Sequence, residues 1–177
     1  LSAFSAVGQI GLRGLNPIEK QKLQLPELPA SQSRVTLLRS SENVDYTQGV
    51  FILNEDWFGH NNSTINFMTS SGDFAYRIFQ TANPGKELGC TSQFGTIFGD
   101  NMFITSKQPK DGGASIEGGR LNVVDAKTMK VKAQFTDIGG GDGRAFLGVN
   151  DSVGYIGASN GIFLFDIKNL TVGDQLK

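Results

Sequence analysis

Few residues in this chain could carry chemistry. It has one histidine, His60, one cysteine, Cys90, and one tryptophan, Trp57. His60 and Trp57 share one segment, Asn54-Glu55-Asp56-Trp57-Phe58-Gly59-His60-Asn61-Asn62. An exposed aromatic beside amides and carboxylates suits a flat ligand or a sugar ring, so Asn54, Trp57, Phe58 and His60 are candidate ligand-binding residues. The plainer alternative makes Trp57 and Phe58 a cap on neighbouring structure and His60 a hydrogen-bonding loop residue. His60 has no second His or Cys nearby, so it is not a zinc ligand by spacing. With one histidine, neither a Ser-His-Asp nor a Cys-His set can be assembled. Glu55 and Asp56 are adjacent and diverge on a strand, so they are not an acid–base pair.

Gly139-Gly140-Gly141-Asp142-Gly143-Arg144 is the second segment of interest. It precedes a strand, not a helix, and so offers a phosphate no helix N-terminus. It reads as a flexible lip that presents Asp142 and Arg144 as further ligand-binding candidates. Cys90 lies among Gly89, Thr91 and Ser92 and is expected to be a small, half-buried side chain. No catalytic residue, metal site or cofactor is expected, and the chain reads as a non-enzyme.

The elements that must hold these residues announce themselves by repetition. Phe51-Ile52-Leu53, Phe103-Ile104-Thr105 and Tyr155-Ile156-Gly157 recur at a spacing of 52 residues. Ile65-Asn66-Phe67, Leu121-Asn122-Val123 and Ile162-Phe163-Leu164 form a second recurring set, and Phe94 and Ile97 sit 52 residues before Phe146 and Val149. Repeats of this length, each with several short strands, mark a β-propeller. The expected fold is all-β, in four-stranded antiparallel blades over about 50–79, 93–135 and 144–177. The first blade should carry strands at 50–54, 64–69 and 73–79 and lacks an obvious innermost strand, for which Arg34–Arg39 is a candidate. Residues 1–49 fall outside the repeat and read as an extended N-terminal segment with a short helix after Asn16-Pro17.

Two and a half to three blades cannot close a ring, so the chain is expected to be part of a larger propeller, or to pair with a second chain that completes it. In such blades the long connections cluster on one face: Asn54–Ser63, Gln80–Ser92, Lys107–Gly119 and Thr136–Gly143. Binding is expected there, with Arg144 near the ring axis. The bulk numbers agree with a β-rich chain: 23 glycines in 177 residues and a net charge of −1. No basic stripe exists, so nucleic acid is not an expected partner. A single cysteine rules out an internal disulfide, and no run approaches the roughly 18 apolar residues that span a membrane.

Leu121-Asn122-Val123-Val124-Asp125-Ala126-Lys127-Thr128-Met129-Lys130-Val131 resembles the strand pair of YncE-like propellers, with its Asp-x-x-Thr-x-Lys-Val signature. Gly143-Arg144-Ala145-Phe146 and Gly154-Tyr155-Ile156 resemble their Pro-Arg strand and following Tyr-Val pair, with Gly in place of Pro. Gly49–Glu55 with Trp57-Phe58-Gly59 is similar to the first blade of Bacteroidetes surface propellers that include BtuG-like cobalamin-binding lipoproteins. The resemblance covers about 49–177. It implies a seven-bladed ring, of which this is the N-terminal part, at the bacterial outer surface or in the periplasm. It also implies a non-enzymatic capture module for a small molecule or glycan, with cobalamin as one candidate, beside a TonB-dependent transporter. The chain is shorter than such a ring, and no lipobox Cys stands near its start. A structural propeller that docks a partner protein is the alternative function, and a propeller hydrolase or lyase a third.

Overall fold

In the computed structural model, residues 44–56 and 61–177 are described. Among these residues eleven strands form three antiparallel sheets. The first sheet holds β1 (Gly49–Asn54), β2 (Thr64–Thr69) and β3 (Phe74–Ala75). The middle sheet holds β4 (Cys90–Phe98), β5 (Asn101–Gln108), β6 (Leu121–Asp125) and β7 (Val131–Phe135). The last holds β8 (Gly143–Gly148), β9 (Val153–Ala158), β10 (Gly161–Asp166) and β11 (Thr171–Gln175). Strand order in each sheet follows chain order, the meander of a propeller blade. Among the described residues no helix is long and apolar enough to cross a membrane.

Register shows the repeat directly. Gly49 pairs with Thr69, Asn101 with Asp125 and Val153 with Asp166, so β1, β5 and β9 are equivalent second strands. Phe51, Phe103 and Tyr155 are each the third residue of that strand. They face Phe67, Val123 and Leu164, the third residues of the recurring set on the next strand. One backbone bond recurs with them. The residue after the third strand donates to the residue before the second: Ser70 to Gln48, Ala126 to Asp100, Ile167 to Ser152. The first sheet therefore lacks an innermost strand among the described residues, and Arg34–Arg39 lie outside them.

Two expectations fail. The 52-residue spacing does not hold in the innermost strands. Phe94 pairs with Thr105, whereas Phe146 pairs with Ile156, the equivalent of Ile104. The turn before β9 is longer than that before β5, so the register moves by one. Phe94 and Phe146 then lie on opposite faces, as a one-residue slip must make them. The strand expected at 73–79 ends at Ala75. Arg77 turns left-handed (φ 51°), with its N–H held by Asn66 Oδ1, and a short helix α1 (Ile78–Ala82) follows. Ile78 and Phe79 are adjacent and both buried, and both join the cluster between the first two sheets. The segment beyond covers the edge of the middle sheet. Asn83 Oδ1 accepts from Val131 N, and Glu87 O accepts from Gln134 Nε2. An open strand edge is thereby protected.

The sheets stack face to face. The side of each that looks toward the following sheet is called its forward face, the other its rear face. The first sheet's forward face (Phe51, Leu53, Ile65, Phe67) packs on the middle sheet's rear face (Met102, Ile104, Val124). The middle sheet's forward face (Phe103, Leu121, Val123) packs on the last sheet's rear face (Phe146, Ile156, Phe163, Phe165). Phe103 and Phe146 stack at 3.7 Å with planes 5° apart, and Phe165 meets both edge-on. Gly148 lies under Phe98, where a Cβ would overlap the ring.

The turn after β6 explains the Asp-x-x-Thr-x-Lys motif. Asp125 Oδ1 accepts from the Lys127 and Thr128 amides and from Thr128 Oγ1, and Met129 takes φ 58° to return the chain. Asp166 does the same after β10: its carboxylate accepts from Asn169 N and Nδ2, and Leu170 takes φ 51°. Burial alone raises the Asp125 carboxyl, but Lys132 and the turn donors outweigh it and hold it below the ordinary range. The Asn169 amide and side chain lower Asp166 likewise.

Phe103→Ala removes the ring shared by two sheets and should cost about 3–5 kcal/mol in urea unfolding; a loss under about 1 kcal/mol would contradict the packing described. Both turn carboxyls are lowered on folding. Their contribution is therefore present above the unfolded aspartate value of about 3.9 and lost as pH falls through the folded values. The Asp125→Asn/Asp166→Asn double variant should show a flatter fall in stability below about pH 4 than the parent chain. Equal slopes would remove these two groups from acid unfolding.

Candidate functional site

Two innermost strands, β4 and β8, begin on the side of the long connections, and each carries one extra residue near its start. Ser92 pairs with Ser106 and Phe94 with Thr105, which leaves Gln93 unpaired. Gly143 pairs with Ala158 and Ala145 with Gly157, which leaves Arg144 unpaired. These are β-bulges at equivalent positions, and a bulge re-aims the side chain it frees. Gln93 and Arg144 are both exposed, and their strands lie against each other.

Each meets a carboxylate from a neighbouring loop. Gln93 Nε2 donates to Glu55 Oε1 at 2.7 Å, and Arg144 Nη2 pairs with Asp142 Oδ2 at 3.0 Å. The Asp142 backbone is fixed by Ser159: its N–H donates to Ser159 Oγ, and its carbonyl accepts from Ser159 N. The glycine lip is held and not free. Gly140 N donates to Asp137 Oδ1, Gly139 O accepts from Asn160 Nδ2, and Gly141 O accepts from Arg120 Nη1. These polar partners satisfy the backbone of the lip.

Beneath this rim lies a buried hydroxyl chain. Ser63 Oγ accepts from Ser92 N and donates to Glu55 O, and Ser92 and Ser106 hydroxyls are 2.6 Å apart. Asn54, expected as a ligand contact, is half-buried and bonds Thr64 Oγ1, which in turn donates to Asp56 Oδ2. These bonds tie the start of the loop to β2. Trp57, Phe58 and His60 lie outside the described residues.

A cleft nearby was not foreseen from the sequence. A cleft of about 150 Å³ opens among Asn61, Asn62, Arg77, Glu87 and residues 113–116. Arg77 Nη2 and Gln80 Nε2 both reach Glu87, at 3.4 and 2.7 Å. Asn62 joins the two loops that form it, accepting from Asp111 N and donating to Ile116 O. Arg77 was hidden because its segment reads as a strand; the long loop 107–119 was the one available signal.

Cys90 is fully buried, more so than its neighbours in the sequence suggest. Burial pushes its thiol up, against a partial offset from Thr91. Among the described residues no group of three or more His, Cys, Asp or Glu could hold a metal ion. The arrangement offers paired donors and acceptors on a fixed rim, which can orient a ligand by hydrogen bonds.

Residues 48–177 match the model of a family described as a domain of unknown function, DUF5074. No curated protein matches the chain.

The native Cys90 thiol should resist a thiol-specific disulfide reagent at neutral pH and react once denaturant opens the fold, because the thiolate is the reactive form. Fast reaction of the native protein would contradict its burial.

Proposed function

This chain belongs to the DUF5074 family, and we propose that it is a non-enzymatic capture module for a polar small molecule or glycan, bound at the long-loop rim. One observation carries the proposal: equivalent bulges in β4 and β8 aim Gln93 and Arg144 outward, each beside a carboxylate, Glu55 and Asp142. A bulge interrupts the ladder and so weakens it locally. Its repetition in two strands fits a selected presentation of side chains better than an accident of folding. The four residues combine amide, carboxylate and guanidinium groups, which suits a neutral or mildly anionic ligand rich in hydroxyl or amide groups. The cleft at Arg77 and Glu87 extends the same loop surface and would take a projecting group of the ligand. Placement at the bacterial outer surface or in the periplasm beside a nutrient transporter, with cobalamin as one candidate cargo, follows from the resemblance to YncE-like and BtuG-like propellers and belongs to the same proposal.

Titration calorimetry with cobalamin, oligosaccharides and short peptides tests it. Arg144→Ala and Gln93→Ala should each weaken binding about two- to fivefold, the worth of an exposed polar contact, and leave the melting temperature unchanged. Arg144-dependent binding of an anionic ligand should also weaken as salt shortens the screening length below its physiological value of about 8 Å. Binding that ignores both substitutions removes the rim from the site.

A further inference from the structure

The turn that breaks the 52-residue spacing also borders a second cleft. Two residues, Gly99 and Asp100, join β4 to β5, whereas four, 149–152, join β8 to β9. The tighter turn shows that two residues suffice to reverse such strands. In the longer one Asn150 Oδ1 accepts from the Ser152 and Val153 amides, and Ser152 O accepts from Ile167 N, which fixes its shape. A cleft of about 310 Å³ lies there, at the end of the sheets away from the rim, lined by residues 98–101, Lys132, Asp151 and Ile167.

This cleft has an apolar base and an acidic mouth. Ile167 is buried and Phe98 half-buried, and both belong to the hydrophobic cluster between the middle and last sheets. Asp100 and Asp151 are exposed. Lys132 is already engaged: its Nζ donates to Asn101 Oδ1 at 2.7 Å and meets Asp125 Oδ2 at 3.2 Å. Asp100 meets Lys127 at 3.7 Å, with both side chains largely exposed, a pair that water screens. Asp151 makes no ion pair among the described residues. The carboxylates of Asp100, Asp125 and Asp151 are thus set against two ammonium groups, which leaves one negative charge.

An apolar base under a singly negative mouth is the complement of an alkylammonium ion. We infer that this cleft binds a primary ammonium carried on a short alkyl stem, with the stem against Phe98 and Ile167 and the nitrogen toward Asp100 and Asp151. A bare metal ion would leave the apolar base unused, and an anion would meet the two acids. A free amine and the lysine side chain of a partner protein offer the same chemistry. Binding here is independent of the rim, which lies at the other end of the sheets.

Backbone amide NMR shifts test this, with methylammonium, n-butylammonium and Nα-acetyl-lysine methylamide as probes. n-Butylammonium should give saturable shifts centred on residues 98–101 and 149–152. It should bind at least about fivefold more tightly than methylammonium, because its further methylenes leave water. The Asp100→Asn/Asp151→Asn double variant should weaken n-butylammonium by about fivefold and keep the melting temperature, since both side chains are exposed. A lysine derivative that binds as tightly as n-butylammonium supports a partner's side chain as the occupant, and one that binds more weakly supports a free amine. Equal binding of methylammonium and n-butylammonium overturns the inference. So does binding untouched by the double variant, or a shift that never saturates.

Discussion

The structure depends on a sheet in the middle that must be dry on both sides. Phe103 looks forward and Ile104 looks back, both fully buried, and neither can be satisfied by its own sheet. Two further sheets are therefore obligatory. The stacked ring of Phe146, with Phe165 edge-on to both, fixes how closely the last sheet approaches. Gly148 permits that approach because any side chain there would enter the space of Phe98. The same logic recruits α1. The chain leaves the first sheet at Ala75 so that Ile78 and Phe79 can complete the hydrophobic cluster between the first two sheets, and Asn83 then closes the exposed edge of β7.

Two ends of the sheets do different work. One end is built from short turns whose hydrogen bonds repeat: Asp125 and Asp166 each gather the donors of a five-residue reversal, and a left-handed residue closes it. These turns are spent on holding strands in register. The other end carries the long connections. Their backbone is bound to neighbouring loops through Asn62, Arg120 and Asn160, so the side chains above rest on a firm base. Rigid support is what lets an exposed hydrogen-bonding group act without a large ordering cost.

Strand order and the equivalence of Phe51, Phe103 and Tyr155 were legible because each is the third residue of a second strand and the three lie 52 residues apart. Phe94 and Phe146 misled because the turn before β9 differs in length, and spacing alone cannot see a register change. Tyr76–Phe79 looked like strand because Tyr76, Ile78 and Phe79 are strand formers; what ends the strand is the left-handed turn at Arg77, held by Asn66 from the neighbouring strand, and that leaves no local mark in the sequence. Asp142 and Arg144 could be picked out as a charged pair beside a glycine run. Gln93 could not. Its importance comes from an unpaired position in the ladder, which depends on how β4 meets β5 and leaves no mark in composition.

The bulges have an evolutionary side. Along a paired strand each residue belongs to one face or the other, and a change there disturbs packing. Gln93 and Arg144 belong to neither, since each is the residue that its ladder leaves out. Their identities are free to drift without cost to the core. If the rim binds as proposed, a lineage could retune its preference, one blade-like sheet at a time, by changing only these two positions and the acids beside them, while the stack of phenylalanines below stays as it is.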